Sequence, residues 1–159
     1  ALVSTLRESG VTIIHAPSDC MSYYAEHPAR QHAVKMQKSA KLPKDITSWC
    51  DRIPREEMAL YPVDQSDGGE DDDLSEHQQW LEMLSQSGRK PGTPWIKQAD
   101  GIQIDSSKDY ITDQGDEVWS ILDSHAVDNV MILGVHTNMC VLGRPFGLRQ
   151  LSQNGKNVT

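Results

Sequence analysis

The chain has 159 residues, 37% of them hydrophobic, which suits one globular domain with a core and is too short for two of ordinary size. Its formal net charge is −8, and the stretch 56–88 holds acidic residues without any Lys or Arg. Nucleic-acid phosphates would repel such a chain, which excludes nucleic acid as a partner. No run approaches the roughly 20 apolar residues of a membrane helix, which excludes a membrane as well. Three cysteines without CxxC spacing predict neither a disulfide framework nor a zinc site, and they favour a cytoplasmic protein.

The N-terminal part of the chain alternates between helical and strand patterns. Residues 1–10 carry apolar side chains at helical spacing and end on Gly10, a typical helix stop. The β-branched stretch "VTIIHAP", closed by Pro17, predicts a strand. Residues 28–41 predict a mostly exposed helix that begins at Pro28. A helix that leads through glycine into a buried strand is half of a βαβ unit. The first strand of that unit is not in the sequence.

Between about residues 42 and 92 the hydrophobic periodicity weakens, which predicts a loop-rich acidic insertion. Within it, "SEHQQWLEML" predicts a short helix with Ser75 as its N-cap. The stretch "DQSDGGEDDD" lacks the spacing of a calcium-binding EF-hand, so a solvated acidic loop is favoured over a calcium site. A loop of this length also suits a lid or an oligomer contact.

The C-terminal part predicts further α/β units. The stretch "TPWIKQ" indicates a short extended segment, and "DQGDEVWSILDSHAV" an amphipathic helix. The core-facing positions of that helix are Val118, Ile121, Leu122 and Ala126. "NVMILGV" is apolar on both faces, as central parallel strands are, and a helix over 140–154 and the start of another strand, "KNVT", follow. Alternating helices and apolar strands favour an α/β fold with a parallel sheet.

Cys140 lies where the apolar strand ends and the next helix begins. In open parallel sheets, ligands bind beyond the carboxyl ends of the strands. A thiol in the first turn of a helix meets the positive end of the helix dipole, which favours the nucleophilic thiolate. Free N–H groups of the same turn suit an oxyanion. The alternative is that Cys140 is a small buried hydrophobe, as free cysteines usually are.

The sequence "GVHTNMCVLGRPFGLRQLSQNGKNV" resembles the isochorismatase-like cysteine hydrolases, the superfamily of nicotinamidases and carbamoyl-sarcosine amidohydrolases. Members carry an apolar strand, then Gly-Val-x-Thr, two residues, Cys-Val, and a helix that ends in Gly. The matching positions here are Gly134, Val135, Thr137, Cys140, Val141 and Gly155. The resemblance implies a three-layer αβα sandwich, Rossmann-like, around a parallel sheet, with residues 1–159 as a single domain.

The resemblance also implies a catalytic set. Cys140 would be the nucleophile, and Lys97, which lies 43 residues before it, matches the lysine whose ammonium favours the thiolate. A cis peptide bond between Val135 and His136 would help to form an oxyanion hole from the N–H groups of His136 and Cys140. The alternative for Lys97 is an exposed loop lysine.

Three residues around the cysteine are candidates for the substrate pocket: Thr137, Asn138 and Arg144. Arg144 suits a clamp on a substrate carboxylate. The structural alternative, a salt bridge between Arg144 and an acid on a neighbouring helix, is favoured because nothing in the sequence fixes the direction of the side chain.

The sequence departs from the family in two places. The family aspartate ends a first strand that precedes the first helix, and no residue here occupies that position, since Asp19 follows the second strand. We therefore expect a domain that is incomplete at both ends. The Asp-x-His metal clamp of nicotinamidases is also absent, because His27 and His32 are five residues apart, so neither a metal nor another cofactor is predicted.

Together these features predict a hydrolase whose cysteine cleaves an amide-type, non-peptide C–N bond of a small molecule through an acyl-enzyme. Two alternatives stay open: a non-catalytic member that is a scaffold or binds a small molecule, and an isochorismate-type ether hydrolase that does not need the cysteine. The resemblance further implies a homo-oligomer.

Overall fold

The computed structural model describes residues 2–57, 74–90 and 94–159. Its helices are α1 (Leu2–Glu8), α2 (Pro28–Lys35), α3 (Pro54–Glu57), α4 (Leu74–Gln86), α5 (Gly115–Ser124), a π-helix (Thr137–Val141) and α6 (Leu148–Gln153). Its strands are β1 (Ile14–His15), β2 (Tyr110–Ile111), β3 (Asn129–Val130) and β4 (Asn157–Val158). The stretch "DQSDGGEDDD", interpreted as an acidic loop, lies outside the described residues. Among the helices that are described, none is both long enough and apolar enough to cross a bilayer.

The strands pair in parallel, which confirms a mixed α/β architecture. Strand β1 lies beside β2 with Ile14 opposite Tyr110, and β3 lies beside β4 with Val130 opposite Val158. Within the described ranges these pairs form two separate two-stranded sheets, not one continuous sheet. The predicted parallel pairing is therefore present, in strands of only two residues each.

Local signals set the ends of the first helices as predicted. Helix α1 stops before Gly10, which has a φ of +84°, a value that glycine adopts without strain. Helix α2 begins at Pro28, whose missing N–H is not needed there. The ring Nδ1 of His27 caps α2 by accepting the N–H of Ala29 at 3.1 Å. The helix ends at Lys35, earlier than the pattern of small and polar residues predicted.

Helix α4 begins two residues earlier than predicted, at Leu74 and not after Ser75. Leu74 is already helical, so Ser75 lies inside the first turn and is not the N-cap. Within the stretch predicted to be extended, the described residues Pro94 and Trp95 belong to no strand, and Ile96 and Lys97 form a bend.

Helix α5 supplies much of the core. Its residues Val118, Ile121 and Leu122 are buried, as the 3.6-residue periodicity predicted. Ala126 is exposed with a φ of +51°, because the helix already ends at Ser124. The buried cluster around this helix consists of Ile46, Val118, Trp119, Leu122 and Leu151. A second cluster beside β1 and β2 consists of Cys20, Tyr24, Ala29 and Ile111.

The segment that leads to Cys140 is more exposed than predicted. Beyond β3 the backbone pairs once more, where the N–H of Ile132 donates to the Thr159 carbonyl at 2.8 Å. Along the other face of this segment Met131, Leu133 and Val135 are 58%, 65% and 92% exposed. The prediction of a strand buried on both faces is therefore wrong for this structure.

The helix predicted over 140–154 is broken into two. The π-helix ends at Val141, and α6 begins only at Leu148. The chain turns tightly between them, since a Cβ on Gly147 would lie 2.7 Å from the Leu142 carbonyl oxygen. Gly155, with a φ of +89°, ends α6 as predicted.

Replacing Gly115 with Ala is expected to lower the free energy of unfolding by about 1–3 kcal/mol, as overpacking does. A Cβ there would lie 1.9 Å from the carbonyl oxygen of Ile46, so α5 and the loop before α3 would have to separate. Urea denaturation measures the change. Gly101→Ala is the matched control, because nothing lies within 4 Å of the Cβ that it adds. Equal loss in both variants would contradict this close approach.

Candidate functional site

Cys140 lies half-buried in the π-helix. Residues 129–135, which begin with β3 and are called the β3 segment below, precede this helix. Single turns with this wider hydrogen-bond spacing are rare and frequently occur at functional sites. The turn starts after His136, whose extended backbone has φ −84° and ψ 104° and whose carbonyl accepts the N–H of Val141 at 3.1 Å. The thiol is free and is not in a disulfide.

Gly134 lets the strand end fold back against this turn. A Cβ on Gly134 would lie 2.8 Å from Cγ2 of Val141 and 3.8 Å from Cβ of Cys140. A larger residue at position 134 would push the β3 segment away from the cysteine. The glycine of the sequence motif thus has a packing role at the candidate site.

The described residues contain no cis peptide bond, so the cis bond predicted between Val135 and His136 is absent and the prediction is wrong for this structure. His136, the predicted oxyanion donor, lies exposed at the start of the π-helix. The pocket candidates Thr137 and Asn138 are exposed in its first turn. These residues stand beside Cys140 in one turn of chain, at the surface and not in an enclosed pocket.

Arg144 is the pocket candidate that the structure buries. It is 7% exposed, its Nη1 donates to the Ala16 carbonyl at 2.7 Å, and its guanidinium lies 4.6 Å from the centre of the Phe146 ring. Burial lowers the pKa of Arg144, against the opposing effects of Cys140, Asp113 and Asp19. Over the described part of the chain no carboxylate reaches ion-pair distance of this guanidinium, so the predicted salt bridge to a neighbouring helix is not observed.

Two aspartates near Arg144 come from the loops after β1 and β2. Asp19 follows β1 with a φ of +55°, a left-handed conformation that non-glycine residues adopt mainly in turns and at functional sites. Asp113 follows β2, and both carboxylates act electrostatically on Arg144. Sequence reasoning set Asp19 aside and missed Asp113. Asp113 could have been predicted from its position just after a strand, because ligands bind at that edge of parallel sheets.

Cys20, next to Asp19, has a different environment from Cys140. It is 1% exposed, and its Sγ donates to the Ser18 carbonyl at 3.1 Å. Burial, with smaller effects of Asp19 and Asp113, raises the pKa of this thiol. Cys20 is therefore a packing residue of the second cluster and a poor nucleophile.

Lys97 has a carboxylate partner of its own near in sequence. The Lys97 ammonium pairs with Asp100 at 2.5 Å, and this hydrogen bond raises its pKa. No hydrogen bond or ion pair joins Lys97 to Cys140. The adjacent N–H of Gln98 donates to the Tyr24 hydroxyl at 2.9 Å, which places this part of the chain beside the second cluster.

A buried ionic network lies at the end of β1. His15 contacts Gln98 Oε1 through Nδ1 at 3.1 Å and Asp109 Oδ2 through Nε2 at 2.9 Å. Arg7 Nε donates to Asp109 Oδ1 at 2.7 Å. Both ring nitrogens of His15 are engaged, so it is a hydrogen-bonded core residue and not a free ligand.

The other histidines near β1 also have structural contacts. His27 caps α2, and His32 Nδ1 lies 3.4 Å from the Asp109 carbonyl. In the parts of the chain that the structure describes, no three His, Cys, Asp or Glu residues are grouped in a way that could hold a metal ion.

Comparison with family models, with curated proteins and with solved structures finds no match to this chain. The resemblance noted above therefore depends on the motif around Cys140. The chemistry of the site depends on that motif and on the contacts of Cys140 and Arg144.

Proposed function

We propose that this chain is a thiol-dependent hydrolase of the isochorismatase-like superfamily, cleaving an amide-type, non-peptide C–N bond of a small molecule. The observation that supports it most is the position of Cys140, which is half-buried with a free thiol in a π-helical turn that follows a strand. The three-layer αβα sandwich belongs to the same proposal, and the parallel pairing of both sheets supports it.

The proposed reaction has two stages. The Cys140 thiolate attacks the substrate carbonyl carbon, and the N–H groups of His136, just before the π-helix, and of Cys140, within it, stabilise the tetrahedral oxyanion. The C–N bond then breaks, the amine leaves with the proton that the Cys140 thiol gave up, and an acyl thioester remains on Cys140. Water hydrolyses the thioester, which releases a carboxylic acid and restores the thiol. No cofactor takes part in these steps.

The proposal predicts that the chain forms a covalent acyl-enzyme. Small p-nitrophenyl esters and p-nitroanilides are suitable probes, because they acylate a reactive thiol without a specific substrate. We expect a burst of p-nitrophenol and, after acid quenching, a mass increase of one acyl group on the peptide that contains Cys140. Release of amine from small primary amides and ureido acids then identifies the substrate class. Acylation elsewhere, with the Cys140 peptide unchanged, would contradict the proposal.

A second candidate is a non-catalytic protein that binds a small molecule at the same place. The pairing of Lys97 with Asp100 favours it, because the ammonium expected at the thiol is engaged elsewhere. Calorimetric binding of an amide that is never turned over would support this candidate. Turnover of an isochorismate-type ether that Cys140→Ala leaves intact would instead support the ether hydrolase.

A further inference from the structure

The β3 segment pairs with the rest of the chain along one edge. The Val130 carbonyl accepts the N–H of Thr159 at 2.9 Å, and the Ile132 N–H donates to the Thr159 carbonyl at 2.8 Å. Successive residues of a strand direct their N–H and C=O groups to opposite edges, so those of Met131 and Leu133 face away from β4. In the part of the chain that the structure describes, no hydrogen bond reaches these groups, which form the free edge of the β3 segment.

The side chains that accompany the free edge are apolar and exposed. Met131, Leu133 and Val135 alternate along the segment, and each keeps more than half of its surface in contact with solvent. Exposed apolar residues that stand singly are ordinary, whereas a row of them beside unpaired backbone groups indicates an interaction surface. On the opposite face, Val130 and Ile132 pack against the buried cluster around α5. A strand at the free edge would therefore have apolar neighbours on both of its faces.

The sheet that carries this edge is small. Within the described ranges, β3 and β4 form a parallel sheet of two strands. Parallel strands are found almost only in larger sheets that are covered on both faces, and a sheet of two strands is at best marginally stable in water. A third strand beside β3 would supply the pairing and the apolar contacts that this sheet lacks.

The chemistry of the edge identifies its occupant as polypeptide. Alternating N–H and C=O groups are matched by an extended main chain, and neither a lipid nor a small apolar molecule offers that pattern. Residues 129–143 contain no Asp, Glu, Lys or Arg, so a charged strand would lose hydration there without gaining an opposite charge. The partner that complements this surface is an uncharged strand, apolar on both faces and rich in β-branched residues.

The size of the surface favours a short segment over a second folded copy. Three exposed side chains on one strand offer less than the about 800 Å² that each partner buries in a stable complex of folded proteins. An extended segment gains affinity from main-chain hydrogen bonds as well as from side-chain contacts, so it needs less apolar area.

We propose that the free edge of the β3 segment binds an extended, uncharged, apolar polypeptide segment by strand addition. The main chain of that segment pairs with Met131 and Leu133, and its side chains pack beside theirs. This inference goes beyond the proposed function and does not depend on any reaction of Cys140.

The test is amide hydrogen exchange, followed by NMR on the 159-residue chain with and without a synthetic peptide. The probe is the acetylated and amidated hexapeptide VTIIHA, which is apolar, β-branched and free of Asp, Glu, Lys and Arg. At about millimolar peptide, exchange at Met131 and Leu133 is expected to slow at least about tenfold, as new hydrogen bonds require. Ile132, already bonded to Thr159, is expected to change little. Unchanged exchange at both Met131 and Leu133 overturns the proposal.

A modified peptide separates strand addition from adhesion of side chains. The same hexapeptide with a methyl group on every backbone nitrogen keeps its side chains but has no N–H donors and cannot extend a sheet. It is expected to leave exchange at Met131 and Leu133 as it is in the chain alone. Equal protection by the methylated peptide means that side chains alone hold it, which overturns strand addition.

Variants of the chain locate the surface. Leu133→Lys places a charge at the edge, a substitution that natural sheets use against further pairing, and is expected to weaken binding of a fluorescently labelled peptide about tenfold. Leu133 is mostly exposed, so the melting temperature should stay near that of the parent. Leu2→Lys, at an exposed leucine of α1, is the matched control and is expected to bind as the parent does. Unweakened binding in Leu133→Lys, or equal weakening in both variants, overturns the proposal.

The concentration of the chain distinguishes the proposed occupant from a second copy. Without peptide, exchange at Met131 and Leu133 is expected to be independent of protein concentration. Protection of these amides that increases with the concentration of the chain alone means that another copy pairs with the edge, and it overturns the choice of occupant.

Discussion

Replacing Asp109 with Asn is expected to lower the free energy of unfolding by about 3 kcal/mol, the usual cost of breaking a buried ion pair by removing one partner. Asp109 is 1% exposed and binds the Arg7 guanidinium, the His15 ring and the N–H of Asp105. Asn has nearly the same shape, so the loss comes from the missing charge, which leaves the Arg7 guanidinium, 10% exposed, without its partner.

The same variant is expected to change the dependence of stability on pH. Burial alone would raise the pKa of Asp109, but hydrogen bonds from Arg7, from the Asp105 N–H and from His15 outweigh it, so the pKa is lowered. A lowered folded-state pKa gives stability that is present above the unfolded pKa, about 3.9, and is lost as pH falls through the folded one. The difference between parent and variant should therefore shrink below about pH 4.

Chemical denaturation at several pH values measures both effects. Asp100→Asn is the control, because Asp100 is 83% exposed and pairs with Lys97 at the surface. We expect no comparable loss there, since exposed pairs contribute little. Equal loss in both variants, or a loss in Asp109→Asn that stays constant at acid pH, would contradict the ionic network.

Replacing Cys140 with Ser is expected to lower turnover of acyl substrates by at least about a thousandfold, as removal of a covalent nucleophile does. Serine has a similar shape, but its hydroxyl is a far weaker nucleophile at neutral pH. Cys140 is half-buried, and the described structure gives its thiol no hydrogen bond. Stability should therefore change by less than about 0.5 kcal/mol.

Cys50→Ser is the matched control for this variant. Cys50 is also half-buried, and its thiol contacts the Arg52 carbonyl and the Gln153 amide. Turnover is expected to stay near that of the parent. If Cys140→Ser keeps its turnover, or if Cys50→Ser loses as much, Cys140 is not the nucleophile.

The features that the sequence predicted well depend on neighbouring residues. Gly10 and Gly155 end their helices through positive φ values, and Pro28 begins one, because the rules for helix ends are local. Helix α5 was predicted with three of its core positions since its apolar spacing is regular. The prediction that Ala126 faces the core was wrong, because the helix ends before it.

The features that were missed depend on contacts between distant parts of the chain. Asp109 binds Arg7 and His15, which are far from it in sequence. Hydrophobic periodicity does not predict such a network. The ion pair between Lys97 and Asp100, three residues apart, was likewise not predicted, and the role of Lys97 at the thiol stays a prediction. The Arg144 guanidinium donates to a backbone carbonyl, and no sequence pattern indicates such a contact.

Limiting alkylation of the folded chain, followed by peptide mass mapping, measures whether Cys140 is the reactive nucleophile. We expect iodoacetamide to modify Cys140 first, ahead of Cys50, and Cys20, at 1% exposure, to react only on unfolding. Modification of Cys50 while Cys140 stays free in the folded protein would contradict it.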